Sequence, residues 1–225
     1  MISNSEKVYA YVEPDNGSPR SLKFFQRRGI NVDIGWRCAL DCPRCARWNH
    51  FRKFGKKVHG YDMSMEEYIK IANFFNDINF CGQYSDPVHH PLFVDFLKVN
   101  YDRRIKTVVH NASSQKPLDW YIKAWQANPK AKWTFGIDGL PEESHKYRIN
   151  QDGVKLYKVM LESKKYLINP PVWQYIIFSY NEHNLEKAQS MAREAGVVFM
   201  HLQSSRWNSD DDDLMPSNKF KMTKK

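Results

Sequence analysis

A predicted β-strand runs directly into a cluster of cysteines in the stretch Ile30-Asn-Val-Asp-Ile-Gly-Trp-Arg-Cys38-Ala-Leu-Asp-Cys42-Pro-Arg-Cys45. Apolar residues alternate with polar or small ones from Ile30 to Trp36, which predicts a strand with one buried face. Three cysteines then follow within eight residues, at the spacing C-x3-C-x2-C. The stretch therefore predicts a strand that carries three thiols on the loop at its end.

Three thiols on one short loop indicate a metal centre, because a single disulfide would leave one reactive thiol over. Zinc needs four ligands, and the fourth would be His50, His59 or Cys81, none of which stands at a zinc-finger spacing. A 4Fe-4S cluster normally has four cysteine ligands, so three would leave one iron with an open coordination position. From spacing alone, the iron–sulfur cluster is favoured and zinc is the alternative.

Predicted strands and helices alternate along the rest of the chain. The strands lie near 78–82 and at 105–110, 133–137, 172–179 and 197–202, and the helices at 64–75, from Pro91 onward, and at 118–127, 152–167 and 182–195. Residues 46–62 are interpreted as a basic, aromatic loop. Strands that alternate with helices predict an α/β fold with a parallel sheet and right-handed crossovers. Because there are too few units for an eight-stranded barrel, we expect a partial (β/α)6 TIM-like barrel.

The chain has 225 residues and a formal net charge of +9, which favours an anionic substrate or partner. We expect an N-terminal arm at 1–29, the barrel at 30–206 and a charged, flexible tail at 207–225. The first residues lack the apolar segment of a secretory signal, and no stretch approaches the roughly 20 apolar residues of a membrane span. These features predict a cytoplasmic protein without a membrane segment.

The loop after the cysteines is rich in cations and aromatic residues. Its members are Arg44, Arg47, Arg52, Lys53, Lys56 and Lys57, interleaved with Trp48, Phe51 and Phe54. Such a mixture can hold phosphates and stack bases. The interpretation we favour is a solvated loop whose aromatic residues pack onto the first helix, with nucleic acid kept as an alternative partner.

The cysteine spacing after the first strand of a βα-repeat chain resembles the radical S-adenosylmethionine (radical SAM) enzymes, over roughly residues 30–206. In that family a Gly-Gly-Glu-Pro-like segment after the second strand binds the amino group of SAM. The corresponding stretch here is Gly82-Gln-Tyr-Ser-Asp-Pro87, in which Asp86 replaces the glutamate. The resemblance implies that Tyr84, Ser85 and Asp86 bind the cofactor.

A second part of the resemblance lies further along the chain. The stretch Gly136-Ile-Asp-Gly139, followed by Arg148, is similar to the Ser-Ile-Asp-Gly element and downstream arginine of family members with SPASM domains. There the serine and the arginine contact the cofactor, and the arginine meets its carboxylate; Gly136 lacks the serine hydroxyl. Asn111, Asp138 and Asn181 follow three other predicted strands and complete the expected cofactor site.

The resemblance implies that Cys38, Cys42 and Cys45 hold a 4Fe-4S cluster whose open iron binds SAM. It also implies an external electron donor of the flavodoxin or ferredoxin type and hydrogen abstraction from a substrate. A peptide or protein residue is the favoured substrate, with an anionic small molecule, nucleotide or sugar left open, and no catalytic residue is assigned. No cysteine follows Cys81, so auxiliary clusters are not expected. The alternative is a non-catalytic zinc-binding, nucleic-acid-binding module.

Overall fold

The structure is a computed structural model that describes residues 29–56, 60–204, 207, 209 and 211–220. The expected N-terminal arm lies outside the described residues, apart from Gly29. The expected tail is described at 207, 209 and 211–220.

The described residues form six strands and six α-helices. The strands are β1 (Ile30–Asn31), β2 (Asp77–Phe80), β3 (Lys106–Asn111), β4 (Lys132–Gly136), β5 (Val172–Ile177) and β6 (Val198–Gln203). The helices are α1 (Ala46–Phe54), α2 (Met65–Phe74), α3 (Phe93–Asp102), α4 (Leu118–Ala127), α5 (Gly153–Ser163) and α6 (Leu185–Ala195). The predicted succession of strands and helices is confirmed from residue 64 onward.

The strands form one sheet in the order β1-β2-β3-β4-β5-β6, and every neighbouring pair is parallel. A helix connects each strand to the next, so all six strands end at the same rim. This arrangement confirms the expected partial (β/α)6 barrel. The loops that carry chemistry in such folds leave from this rim.

Local signals in the sequence explain where two of the helices begin or end. The Ser64 hydroxyl accepts a hydrogen bond from the Glu67 backbone N–H at 3.2 Å, and the Glu67 carboxylate accepts one from the Ser64 N–H at 2.8 Å. This capping box starts α2 where the sequence predicts it. Helix α6 ends at Gly196, whose φ of 64° is in the left-handed region that favours glycine.

Helix α1 corrects the expectation that residues 46–62 form a loop. It begins after Cys45 and ends at Gly55, which has a φ of 65°. The helix was missed because it buries none of its residues and has no apolar face of ordinary width. The three-residue spacing of Trp48, Phe51 and Phe54 was the signal that could have identified it.

Candidate functional site

A cavity of about 390 Å³ opens at the rim where the parallel strands end. Its wall contains Cys38, Cys42 and Cys45, the loop Gly82–Asp86, Asn111 and Arg148. The cavity is in the size range of small-molecule sites. The structure thus brings together eight of the ten residues predicted for the cofactor site, namely all except Asp138 and Asn181.

Arg47, on α1, hydrogen-bonds to the backbone of the cysteine loop. Its guanidinium donates to the carbonyl oxygens of Cys38 and Leu40, at 3.2 and 2.7 Å. The Leu40 N–H points toward the Cys38 thiol at 3.4 Å. Arg47 therefore fixes the loop and places a positive charge beside the first cysteine.

Burial in the cavity wall favours the protonated form of the Cys38 and Cys42 thiols. Burial raises the pKa of Cys38 to about 12, and the nearby carboxylate of Asp86 adds to the rise. Burial also raises the pKa of Cys42, whereas Arg148 acts in the opposite direction. Thiolate ligands at such positions require a metal's charge to stabilise them.

The loop after β2 is organised by Asp33, a residue that the sequence analysis missed. One carboxylate oxygen of Asp33 accepts hydrogen bonds from the N–H groups of Gln83 and Tyr84, at 2.7 and 3.2 Å. The other oxygen accepts one from the Ser85 hydroxyl at 2.7 Å. The signal was available, because Asp33 is a polar residue in the stretch that leads from β1 to the cysteine loop.

Gly82 is required by this loop because its backbone passes close to Ser85. A Cβ at position 82 would lie 1.7 Å from the Ser85 carbonyl oxygen. Any larger residue would have to push the turn open. The glycine of the predicted Gly82–Pro87 segment is therefore explained by packing within the turn.

Asp86 lies on the cavity wall, as predicted, but its carboxylate already has backbone partners. One oxygen accepts from the N–H groups of Ala112 and Ser113, both at 2.8 Å, and the other accepts from the Val88 N–H at 3.3 Å. Burial raises the pKa of Asp86, while the amide donors and His89 oppose the rise. The carboxylate ties the loop after β2 to the loop after β3.

Asn111 also combines a place on the cavity wall with internal hydrogen bonds. Its side-chain N–H donates to the Tyr121 hydroxyl at 3.0 Å, and its side-chain oxygen accepts from the Ser113 N–H at 3.0 Å. The side chain is buried. These bonds fix the start of the loop that receives Asp86.

Arg148 lines the cavity, and the fully buried carboxylate of Asp138 holds it from behind. Its Nε donates to Asp138 at 2.7 Å, and the second oxygen of Asp138 accepts from the Ile176 N–H at 2.7 Å. Burial acts to lower the pKa of Arg148, but Asp138, Cys42 and Tyr147 together outweigh it and raise the pKa. Asp138 was predicted to contact the cofactor; its side chain lies behind the cavity wall and holds Arg148.

Gly136 faces the guanidinium directly. A Cβ at this position would lie 3.1 Å from the Nη2 of Arg148. The side-chain space that the family's serine would use is therefore bordered by Arg148.

Asn181 does not reach the cavity. Its side-chain oxygen accepts from the Phe178 N–H at 2.8 Å, and its side-chain N–H donates to the Ile176 carbonyl at 3.0 Å. The residue is fully buried in the loop after β5. Its position after a strand predicted a cofactor contact, but the side chain closes the loop instead.

Several solved structures share this fold. Streptococcus suis SuiB bound to S-adenosylmethionine matches with a TM-score of 0.65 and 10% identity, over 84% of this chain and 43% of that one. Methylornithine synthase (PylB) matches with a TM-score of 0.59 and 12% identity, over 83% and 58%. The structure of anSMEcpe with bound AdoMet and a peptide matches with a TM-score of 0.61 and 13% identity, over 86% and 55%.

The fold is that of the radical SAM enzymes. The fold that the sequence resemblance implies is therefore confirmed. The chain spans about half the length of these three structures.

At the level of sequence, the similarities of the chain are weaker. No family model matches the chain. The UvrABC system protein C of Methanosphaera stadtmanae is 26% identical over 196 residues, which cover 73% of this chain and 31% of that protein. The chain therefore spans about a third of this relative.

The three thiols of the radical SAM fold lie around the cavity without converging on one point. In the described ranges, no three His, Cys, Asp or Glu side chains are gathered closely enough to hold one metal ion. A single zinc binds its sulfurs at about 2.3 Å and so needs them close together. In a 4Fe-4S cluster each cysteine binds a different iron, and the sulfurs stand further apart.

Side chains from the strands complete the interior of this radical SAM barrel. His110, Thr134, Gln174 and Met200 line the cavity, and none was predicted. His110 and Gln174 are hydrogen-bonded, and burial lowers the pKa of His110, so its ring is neutral at pH 7. Gln174 was hidden because its strand reads as one continuous apolar and aromatic run.

The C-terminal segment, expected to belong to a flexible tail, contacts the cysteine loop. Arg44 donates from Nε and Nη2 to the two carboxylate oxygens of Asp212, both at 2.8 Å. The Asp212 side chain is fully buried. Leu214 packs with Leu40 and Cys42. Residues 212–214 therefore cover one side of the candidate cluster site.

The helices in the parts of the chain that the structure describes are too short or too polar to cross a membrane.

Proposed function

We propose that this protein is a radical SAM enzyme with one 4Fe-4S cluster on Cys38, Cys42 and Cys45. The observation that carries the proposal is the shared cavity. Three cysteines, the Gly82–Asp86 loop and Arg148 come from distant parts of the sequence and line one wall.

The bound cofactors would supply the radical chemistry. Bound on Cys38, Cys42 and Cys45, the cluster would pass one electron from an external donor to SAM, and the reductive cleavage of SAM would supply the radical that abstracts hydrogen from a substrate carbon. The donor is expected to be of the flavodoxin or ferredoxin type.

The chain's own residues would bind and orient the cofactor. Arg148 would donate to its carboxylate, because Asp138 engages Nε and leaves the Nη groups facing the cavity. The carbonyl oxygens of the Gly82–Ser85 loop would accept hydrogen bonds from the amino group of SAM, since the Asp86 carboxylate is already bonded to three backbone N–H groups. Arg47 would stabilise the negative charge of the cluster beside Cys38.

The resemblance favours a peptide or protein residue as substrate and leaves a nucleotide, a sugar or an anionic small molecule open; one matched structure contains a peptide. The cytoplasmic location also stays a prediction. The matched structures give no support to the zinc-binding alternative, and the following test separates it from the iron–sulfur proposal.

The test is anaerobic reconstitution of the full chain with iron and sulfide. We expect a brown protein with broad absorption near ~400 nm and about four irons per chain. Dithionite and SAM should then yield 5′-deoxyadenosine without added substrate. A colourless protein that binds one zinc per chain and releases no 5′-deoxyadenosine would contradict the proposal.

A further inference from the structure

Helix α1 displays aromatic side chains on the surface. Phe51 is 36% exposed and Phe54 is 56% exposed, and no residue of the helix is buried. Amphipathic helices normally turn such side chains toward the core. The expectation that the aromatic residues pack onto the first predicted helix is therefore wrong for Phe51 and Phe54. Their rings contact neighbours on α1, Trp48 for Phe51 at 5.6 Å and His50 for Phe54 at 4.8 Å between ring centres, and otherwise face solvent.

The charged residues that flank these rings in the sequence are all positive. From Cys42 to Tyr61 the sequence contains six Lys or Arg residues and no Asp or Glu. Arg44 is neutralised by Asp212, and Arg47 binds two carbonyl groups of the cysteine loop. These two cations serve the loop, so they are not counted as part of the surface.

The remaining described cations lie beside the exposed rings. Arg52 donates to the Pro43 carbonyl, and Lys53 and Lys56 form no salt bridge within the described ranges. The Lys53 ammonium lies 5.3 Å from the centre of the Phe54 ring. Phe51, Arg52, Lys53, Phe54 and Lys56 surround the exposed C-terminal end of α1, and we call this surface the basic aromatic face.

The helix that carries the basic aromatic face starts at the cavity wall. Helix α1 begins immediately after Cys45, which lines the cavity, and its nine residues extend about 14 Å from that point. Tyr84, at 38% exposure, stands on the cavity wall. A flexible chain bound along α1 could therefore place one of its units in the cavity.

Exposed rings interleaved with unneutralised cations match a single-stranded nucleic acid better than other anions. Its bases stack on aromatic faces while its phosphates meet Lys and Arg. An acidic peptide or an acidic electron-transfer protein would satisfy the charges and leave the rings without stacking partners. A duplex keeps its bases stacked on one another and would use only the charges.

We propose that the basic aromatic face binds a single-stranded nucleic acid and that a nucleotide of this strand is the substrate in the cavity. The second part rests on the proposed function; the binding part does not.

Binding is tested with the full chain carrying its reconstituted cluster, without reductant. A fluorescein-labelled oligothymidylate of about 12 nucleotides is titrated by fluorescence anisotropy at several salt concentrations, beside a duplex of equal length. We expect tighter binding of the single strand. Phe54→Ala should weaken it roughly 10-fold through lost stacking. Lys53→Gln with Lys56→Gln should reduce the slope of log K against log salt by about 1.4.

The chain offers a matched control on another surface. Tyr101, at the end of α3, is 41% exposed and has the Lys130 ammonium 5.7 Å from its ring centre. Tyr101→Ala and Lys130→Gln should leave oligonucleotide affinity within a factor of two. Equal loss in this control, equal affinity for the duplex, or equal affinity for a polyglutamate peptide would overturn the proposal.

The substrate part is tested by 5′-deoxyadenosine release with dithionite and SAM. Added oligonucleotide should raise the release several-fold in the wild type and in Tyr101→Ala, and the increase should be lost in Phe54→Ala. Binding without any increase would overturn the substrate part. A chain that binds the strand but never cleaves SAM would contradict the proposed function and leave the binding face standing.

Discussion

The cavity wall is formed mainly by loops in its first half and mainly by strand side chains in its second. After β1 and β2, the cysteine loop and the Gly82–Asp86 loop supply the wall. From β4 to β6, Thr134, Gln174 and Met200 point inward from the strands themselves. Asp138 and Asn181, which follow β4 and β5, are fully buried and stand behind the wall, whereas Arg148 reaches the wall from the loop after β4.

The difference follows from what each backbone needs. The first-half loops approach the cavity closely and are held there by side chains from other loops, such as Asp33 and Asp86. In the second half, the polar residues that directly follow the strands form hydrogen bonds within the protein. Asn181, for example, accepts one from the backbone of its own loop after β5. A position after a parallel strand therefore indicates the right rim and does not by itself indicate contact with a ligand.

The largest effect is expected in the first half, at the cysteines. Replacing Cys38, Cys42 or Cys45 by Ala should remove a cluster ligand, reduce the iron content after reconstitution to near zero and lower 5′-deoxyadenosine release at least 100-fold. Cys81→Ala, in the same cavity wall, is the matched control and should keep its iron. Iron analysis and chromatographic quantification of 5′-deoxyadenosine measure both quantities. Full iron in all three variants would contradict the assignment.

In the second half, the largest effect should come from breaking the buried ion pair. Arg148→Gln leaves the fully buried Asp138 carboxylate without its partner and should lower the free energy of unfolding by about 3 kcal/mol. Urea denaturation of the metal-free protein measures this change. Adding Asp138→Asn should recover most of the stability, because no charge is then left buried.

The double variant separates holding Arg148 from binding the cofactor. With Arg148→Gln and Asp138→Asn together, we expect recovered stability and SAM affinity that is still at least 10-fold weaker than in the wild type, by isothermal titration of the reconstituted protein. Unchanged SAM affinity in the double variant would show that Arg148 serves the fold alone.

The same contrast explains which parts the sequence could predict. The C-x3-C-x2-C motif, the Ser64 capping box and the alternation of strands and helices depend on neighbours in sequence, so the sheet and the place of the three cysteines at its rim were predictable. The roles of Asp33, Asp138 and Arg47 depend on partners in other elements, and a single sequence does not record such pairs. Gln174 and α1 were missed because the periodicity that reveals them was weak beside strong apolar or basic patterns.

Two glycines test how tightly each half is packed. At Gly82 a Cβ would meet the Ser85 carbonyl oxygen at 1.7 Å, and a backbone atom cannot move without opening the turn. At Gly136 it would meet the movable end of Arg148 at 3.1 Å. We expect Gly82→Ala to lower the free energy of unfolding by about 2–3 kcal/mol and Gly136→Ala by under about 1 kcal/mol, in urea denaturation. The reverse order would contradict the contrast.

The smallest effect concerns the neutral His110 inside the barrel. Burial lowers its folded-state pKa below the unfolded value of about 6.5, so below that pH the unfolded chain binds the proton more readily than the folded one. Stability contributed by the neutral ring is present above pH 6.5 and is lost as the pH falls. We expect His110→Gln to reduce the loss of unfolding free energy between pH 7 and pH 5.5 by up to about 1 kcal/mol, measured by urea denaturation. The exposed His145→Gln is the matched control. An equal reduction in that control would show that the effect does not arise from the burial of His110.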